Sequence, residues 1–551
     1  MRKNVKKQLA LRVLSTAALM AMVSSIATAA FADTYDLNTG SVTVETKADG
    51  YTYVTQEDTE KGGYAQNSKG DTLDGTYKDT DPNGVTITSG GTPTSNTITV
   101  ETAKDQTTNV TLDKVDIEVD TAKTKSGAIE IKGDGNTNLE LNGNNTVQVK
   151  NNWSEEHAAI EKADQYGTGT LTIKDDVNDD GKLLAGGYKD TSAIGGGGTA
   201  DLCDTSNITI TGGEIKAIAG YDGGAGIGGG YGGTGKNICI KGNAHVTAVS
   251  SAGAAIGGGI GSGNSVTITD DAVVDAYSAF AAAIGNGDQV GRSNEPTTIT
   301  ISGNATVHAE TSEGSCAIGT SRDGSLSDLT INIEKNANVT AIASIDRPAI
   351  GNAGCHGDTT TTINITGGTV NAINSYGSDI PSYPNDGTGN YSPAIGGKIH
   401  SYNVDGDHTA TCNVNINSST GDTIVNAYIY GKGSGPAVGS ATETTSYNPY
   451  NVEYQYVPAD SASYKADGSS HFGERNSAIV NCYKNGTVKK ENLKEKLDLP
   501  DTLDSNALNS IHNHHEITGG TLTKVVHNRK YMEKHPEIVD DFNKLENSDL
   551  H

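Results

Sequence analysis

Apolar and polar residues alternate with a period of two in short runs that recur along most of this chain. One set of runs places Ile or Val at every second position with Thr, Asn or Cys between. Examples are Ile208-Thr209-Ile210, Ile238-Cys239-Ile240, Val266-Thr267-Ile268, Ile299-Thr300-Ile301, Ile331-Asn332-Ile333 and Ile363-Asn364-Ile365. A turn rich in Gly or Asn follows, such as Thr211-Gly212-Gly213 or Lys241-Gly242-Asn243. A second run then reads Val246-Thr247-Ala248, Val307-His308-Ala309, Val339-Thr340-Ala341 or Val370-Asn371-Ala372. Alternation of this kind makes strands with one buried and one wet face, because successive side chains of a strand point to opposite sides.

A third phrase closes each unit: a small residue, then Ala-Ile-Gly or a close variant. It ends in Ile194-Gly195, Ile227-Gly228, Ile256-Gly257, Ile284-Gly285, Ile318-Gly319, Ile350-Gly351, Ile395-Gly396 and Val438-Gly439, with weaker copies lacking the Gly at Ala128-Ile129 and Ala159-Ile160. The phrases stand 28 to 34 residues apart through the middle and 45 and 43 apart at the end. Three short strands per repeat predict one coil of a parallel β-solenoid, in which each coil buries its apolar face only by stacking on its neighbours. The small Ala suits a tight corner, and Gly after Ile permits a positive φ there. The expected fold is therefore all-β, a single right-handed parallel β-helix of about ten coils with terminal caps. Residues 33–84 read as an N-terminal cap or leader and 85–484 as the β-helix, with longer insertions after 374. Residues 485–551 read as a C-terminal cap and charged tail, with one helix expected from Lys489 to Leu497.

Composition agrees with a thin shared core. Only 34% of the 551 residues are hydrophobic and 5% aromatic, too little for several conventional globular cores, while 69 are glycine. The net charge of −27 excludes nucleic acid as a partner, since phosphate binding needs clustered Lys and Arg. Residues 1–32 read as a secretory signal peptide: basic at Arg2, Lys3, Lys6, Lys7 and Arg12, then apolar, then Ala30-Phe31-Ala32 before Asp33. Extracellular location follows as the expectation, free or held non-covalently at the cell surface, with no transmembrane segment in the mature chain. Six cysteines share no spacing between repeats and form no CxxC pair, so independent thiols are expected rather than a disulfide frame.

The coil grammar over roughly residues 85–480 resembles secreted bacterial surface proteins of the pectin-lyase-like β-helix class, including clostridial non-catalytic carbohydrate-binding β-helices. That class spans lyases, hydrolases, adhesins and passive sugar binders, and fold alone does not choose among them.

Candidate sites are few. Asp176, Asn178 and Asp180 sit at positions 1, 3 and 5 of a stretch with Gly181 at 6 and Leu183 at 8, the first half of a calcium loop; position 12 is Gly187, which supplies no carboxylate. Calcium is the one cofactor this pattern suggests, against the alternative of a solvated acidic turn. His512, His514, His515 and Glu516 form a cluster without metal-protease spacing. The Gly-rich corners lead into no Gly-Lys-Ser/Thr and are structural. Tyrosines crowd the late insertions: Tyr376, Tyr383, Tyr391, Tyr402, Tyr447, Tyr450, Tyr454 and Tyr456. Exposed rings of this kind stack on sugar faces, so these eight are the candidate ligand surface. Outward positions carry scattered Asp275, His308 and Arg322, and no carboxylates are read as paired across successive coils, which leans against catalysis. The leading expectation is a non-catalytic, adhesin-like protein binding polysaccharide or host and matrix glycan. A polysaccharide lyase or glycoside hydrolase is the alternative, and ice binding or a structural spacer the minor ones.

Overall fold

The computed structural model describes residues 33–374 except 68, 82, 151–155, 221–222, 261–263, 288–294, 312–314, 322–326, 344–346 and 356–358. Beyond these it describes 392–402, 411–416, 419–429, 438–445, 452–456 and 479–483. It is a right-handed parallel β-solenoid. One coil runs through a strand of the first sheet (Thr205–Ile210), a short turn, a strand of the second sheet (Glu214–Ile218) and a two-residue strand at the corner (Ile227–Gly228). The next coil then begins at Gly235–Ile240. Stacked coils generate sheets of 12, 11 and 15 strands. About eight turns carry the regular solenoid, against the ten expected, and eight corners carry the complete apolar-Gly phrase.

Register explains how so little hydrophobicity suffices. Ile194, Ile227, Ile256, Ile284, Ile318, Ile350 and Ile395 pair one above the next in the corner sheet, and each is fully buried. Two Ile or Val rows from the first sheet and a Val and an Ala row from the second face them, all within one continuous core. Each coil thus contributes five small or branched side chains, and its neighbours cover what it cannot cover itself.

The corner glycines are demanded twice over. Their φ values lie between +134° and +143°, outside what L side chains adopt readily. A Cβ on Gly285 would also lie 1.9 Å from the carbonyl oxygen of Gly319 in the next coil.

At the N-terminal end, Val42–Thr46 continues the corner sheet in parallel with Ile98–Thr102, then pairs antiparallel with Thr52–Gln56, which pairs antiparallel with Asp74–Asp79. This antiparallel flap covers the first coil's open edge. Among the described residues no helix is long and apolar enough to cross a membrane. Residues 1–32, the expected helix at 489–497 and the histidine cluster at 512–516 lie outside the described residues.

Candidate functional site

The outer face of the first sheet is defined by two registers. One row runs Thr172, Thr209, Cys239, Thr267, Thr300, Asn332, Asn364, Asn415, residue stacked on residue through eight coils. Beside it runs a second row, Ser265, Thr298, Thr330, Thr362, Asn413. Neither row holds a charged residue, in a chain carrying 107 of them. Side-chain amides link the coils: Asn364 donates to Asn332 at 2.9 Å, and Asn415 donates to Asn364 at 2.8 Å. Cys239, set into the first row, is a free thiol whose pKa burial pushes up. The two rows are long, polar and uncharged, with the Glu140–Lys174 ion pair beside Thr172 at their N-terminal end.

The Asp176 loop is built by residues other than its expected ligands. The buried Asp175 carboxylate accepts from the N–H groups of Asp179 at 3.2 Å and Gly181 at 2.8 Å. Glu140, one coil below, accepts from the N–H groups of Asp176 at 2.8 Å and Val177 at 3.1 Å. Asp176 itself pairs with Lys174 at 2.7 Å, Asn178 donates to Asn142 at 3.0 Å, and Asp180 accepts from the N–H of Gly143 at 3.3 Å. The three expected ligands each bond to a different neighbour, and all three are exposed.

Of the expected tyrosines, Tyr376, Tyr383, Tyr391, Tyr447 and Tyr450 lie outside the described residues. Tyr402 ends the strand Ile395–Tyr402, and Tyr454 and Tyr456 belong to Val452–Tyr456, the antiparallel edge of the corner sheet. Through Val438–Thr445, the register places all three at positions of the same parity.

One expectation from the sequence is corrected. Carboxylates do pair across successive coils: Glu130 and Glu161 stand in register at the corner, where the next coil has Gly195. The two corners that lack Gly carry Glu in its place, and neither glutamate has a positive φ. Reading those phrases only as degenerate copies hid the pair. Aligning Ile129 with Ile160 and inspecting the next residue would have found it.

Around them the fold assembles a buried polar cluster. The chain turns at residues 156–158 so that His157 Nδ1 lies 3.0 Å from both carboxylate oxygens of Glu161, which also accepts from the Ala158 N–H at 3.0 Å. After the corner, the short turn Asp164–Tyr166 swings Tyr166 back to hydrogen-bond Glu161; burial, then the two glutamate charges, push that phenol's pKa up. Glu130 pairs with Lys132 at 2.8 Å, and the Lys132 ammonium lies 4.7 Å from the centre of the Tyr166 ring. Glu130, His157 and Glu161 are all buried, Glu161 completely, so no polymer chain reaches this carboxylate pair. Lys162 follows, also inside: burial holds its pKa down, and its ammonium donates to the Gly167 carbonyl at 3.2 Å.

A second pair lies on the outer face of the second sheet. His308 sits above Asp275 in register and 3.3 Å from the Glu310 carboxylate, with the Tyr277 ring 5.6 Å away. Burial alone would lower the His308 pKa; the hydrogen bond to Glu310 and the charges of Glu310 and Asp275 outweigh it and raise it above 6.5. A raised folded-state value means this pair stabilises fully below pH 6.5, the stabilisation fading as pH climbs through the folded pKa. Wild type should therefore lose more thermal stability than His308→Gln between pH 6 and 8. An NMR titration placing His308 below 6.5 would overturn this.

No known protein family, curated protein or solved structure is significantly similar to the chain, so the reading of its surfaces rests on their own chemistry.

Proposed function

We propose that this protein is an exported, surface-acting β-solenoid that binds an uncharged polysaccharide or matrix glycan through the outer face of its first sheet, without turnover. The observation that carries the reading is the pair of neutral Thr/Ser/Asn rows. In a chain of net charge −27, two rows this long and free of charge repel no neutral polymer and present hydroxyl and amide groups at the strand repeat of about 4.8 Å. Extended glycans offer hydroxyls in similarly regular files, and many weak, aligned hydrogen bonds add up along such a track. The tyrosine-rich composition of 376–456 is a second candidate for sugar binding, since aromatic rings stack on sugar faces. Catalysis is the less supported reading: the Glu130–Glu161 pair is enclosed, and the solvent-accessible pair in register, Glu45 with Glu101, lies at the N-terminal end with Glu45 held by Lys47.

The test is affinity electrophoresis and a glycan array on the purified chain, with reducing-end and 235-nm product assays on each retained glycan. Retention without products is the expected result. Thr298→Lys with Thr330→Lys, which places two cations in the uncharged second row, should weaken retention at least about tenfold with an unchanged circular-dichroism spectrum. Products, or retention indifferent to this double variant, would overturn the proposal. Repeating the assay with EDTA and with Asp176→Asn reads the calcium expectation: loss in both would give the Asp176 loop a cation.

A further inference from the structure

We propose that Glu130, His157 and Glu161 form a binding site for one divalent transition-metal ion of the zinc class. The site does not depend on the glycan reading. Three observations carry it.

The first is the donor set and its spacing. One ligand atom from each residue can be chosen so that all three lie within 4.8 Å of one another. The His157 Nδ1 to Glu161 oxygen separations of 3.0 Å match the edge of an octahedral shell with metal–ligand bonds of about 2.1 Å, and need open by only about 0.4 Å to reach the tetrahedral edge. One imidazole nitrogen with two carboxylates suits zinc, manganese, iron or nickel. Calcium prefers a larger shell made of oxygen alone.

The second is the way the fold makes room. From Gly195 onward the corner is Gly and a Cβ there strikes the next coil, whereas the coils before it carry side chains at this position, Thr43 and Thr99 and then the two consecutive glutamates. The backbone that covers them is kept bare. A Cβ on Gly197 would come 3.0 Å from a Glu161 carboxylate oxygen and 2.6 Å from the Glu156 carbonyl oxygen. A Cβ on Gly127 would lie 2.4 Å from the Ala158 carbonyl oxygen and 3.3 Å from the Glu161 Cβ. Glycine at 127 and 197 thus preserves the enclosure around the carboxylate.

The third is charge and orientation. Two carboxylates held out of water need positive charge beside them. Lys132 supplies it for Glu130, at 2.8 Å. For the fully buried Glu161, the cationic contact in the described structure is His157. Either a proton on that ring or a metal ion between the ring and the carboxylates completes the balance. The Ala158 N–H and the Tyr166 hydroxyl fix Glu161, and Lys132 fixes Glu130, the outer hydrogen bonding that holds metal ligands in orientation.

The experiment uses the purified full chain, stripped with chelator and titrated with Zn2+, Mn2+ and Co2+ by calorimetry. X-ray absorption is then recorded on the zinc-loaded wild type. The expected result is one equivalent bound, with a first shell of nitrogen and oxygen near 2.0–2.1 Å and a higher melting temperature on loading. His157→Gln and Glu161→Gln should each weaken binding by about 100-fold or more, Glu130→Gln should weaken it too, and Asp176→Asn should leave it unchanged. The absorption spectrum is also recorded with His512, His514 and His515 each changed to Gln, so that the tail histidines supply none of its nitrogen and it still decides if a substitution at the buried site prevents folding. Absence of stoichiometric binding by all three metals, an oxygen-only shell, or binding that survives His157→Gln in a folded protein would overturn the proposal. The cluster would then be a buried hydrogen-bond network alone.

Discussion

Gly285→Ala should destabilise the solenoid by at least about 3 kcal/mol, read as a shift of the urea midpoint followed by circular dichroism. Two costs combine. The φ of +138° at Gly285 is a region that other residues occupy at a strain of roughly 1–3 kcal/mol. The added methyl would also lie 1.9 Å from the Gly319 carbonyl oxygen. That oxygen belongs to backbone which accepts the N–H of Asn286 at 3.0 Å, so the clash can be relieved only by separating two coils. Gly62→Ala is the comparison for a positive φ without the clash. Gly62 has φ +74°, and a methyl added there would have nothing within 4 Å, so it should lose only about 1 kcal/mol. Equal losses for the two variants would show that coil-to-coil contact at the corner contributes nothing.

Ile284→Ala should cost about 2–5 kcal/mol, the range for deleting a buried branched side chain where the surroundings cannot collapse. Ile284 has no exposed surface and stands in register between Ile256 and Ile318. The hydrogen-bonded coils hold their spacing, so the space left by the side chain stays open. Each coil touches only its neighbours, so the weakened layer should also divide the unfolding transition in two, the coils on either side melting separately. Ile424→Ala is the comparison: that isoleucine, on the outer face of the second sheet, is 37% exposed and should cost under about 0.5 kcal/mol. A loss below about 1 kcal/mol for Ile284→Ala would show that the corner ladder is not what holds the stack together.

Both predictions rest on features legible in the residues. The Ile-Thr-Ile and Val-Thr-Ala runs announce strands because a strand's two-residue period is a property of the local chain. Their recurrence every 28 to 34 residues announces stacking because such a strand cannot bury its apolar face alone. The corner Gly was readable as a positive φ, although its second reason, the carbonyl of the coil above, needed the stacked backbone. The Asp176 loop shows the opposite case. Its spacing suggested ligands at Asp176, Asn178 and Asp180, whereas the loop is closed by Asp175 and by Glu140 from the coil below, a contact that sequence spacing does not encode.

The division follows from range. By itself the sequence determined the all-β class, the coil length, the inward and outward residues and the Thr, Asn or Cys character of the outward positions, since each depends on alternation within a few residues or on a regular repeat. Only the tertiary structure decided what stands above what. It set Glu130 beneath Glu161, brought His157 to both oxygens of one carboxylate and placed Glu310 against His308. Those contacts depend on inter-coil register and on irregular turns such as 156–158, whose geometry is set by the surface they pack on. A stacked fold makes its strands from local pattern and its polar clusters from alignment between coils.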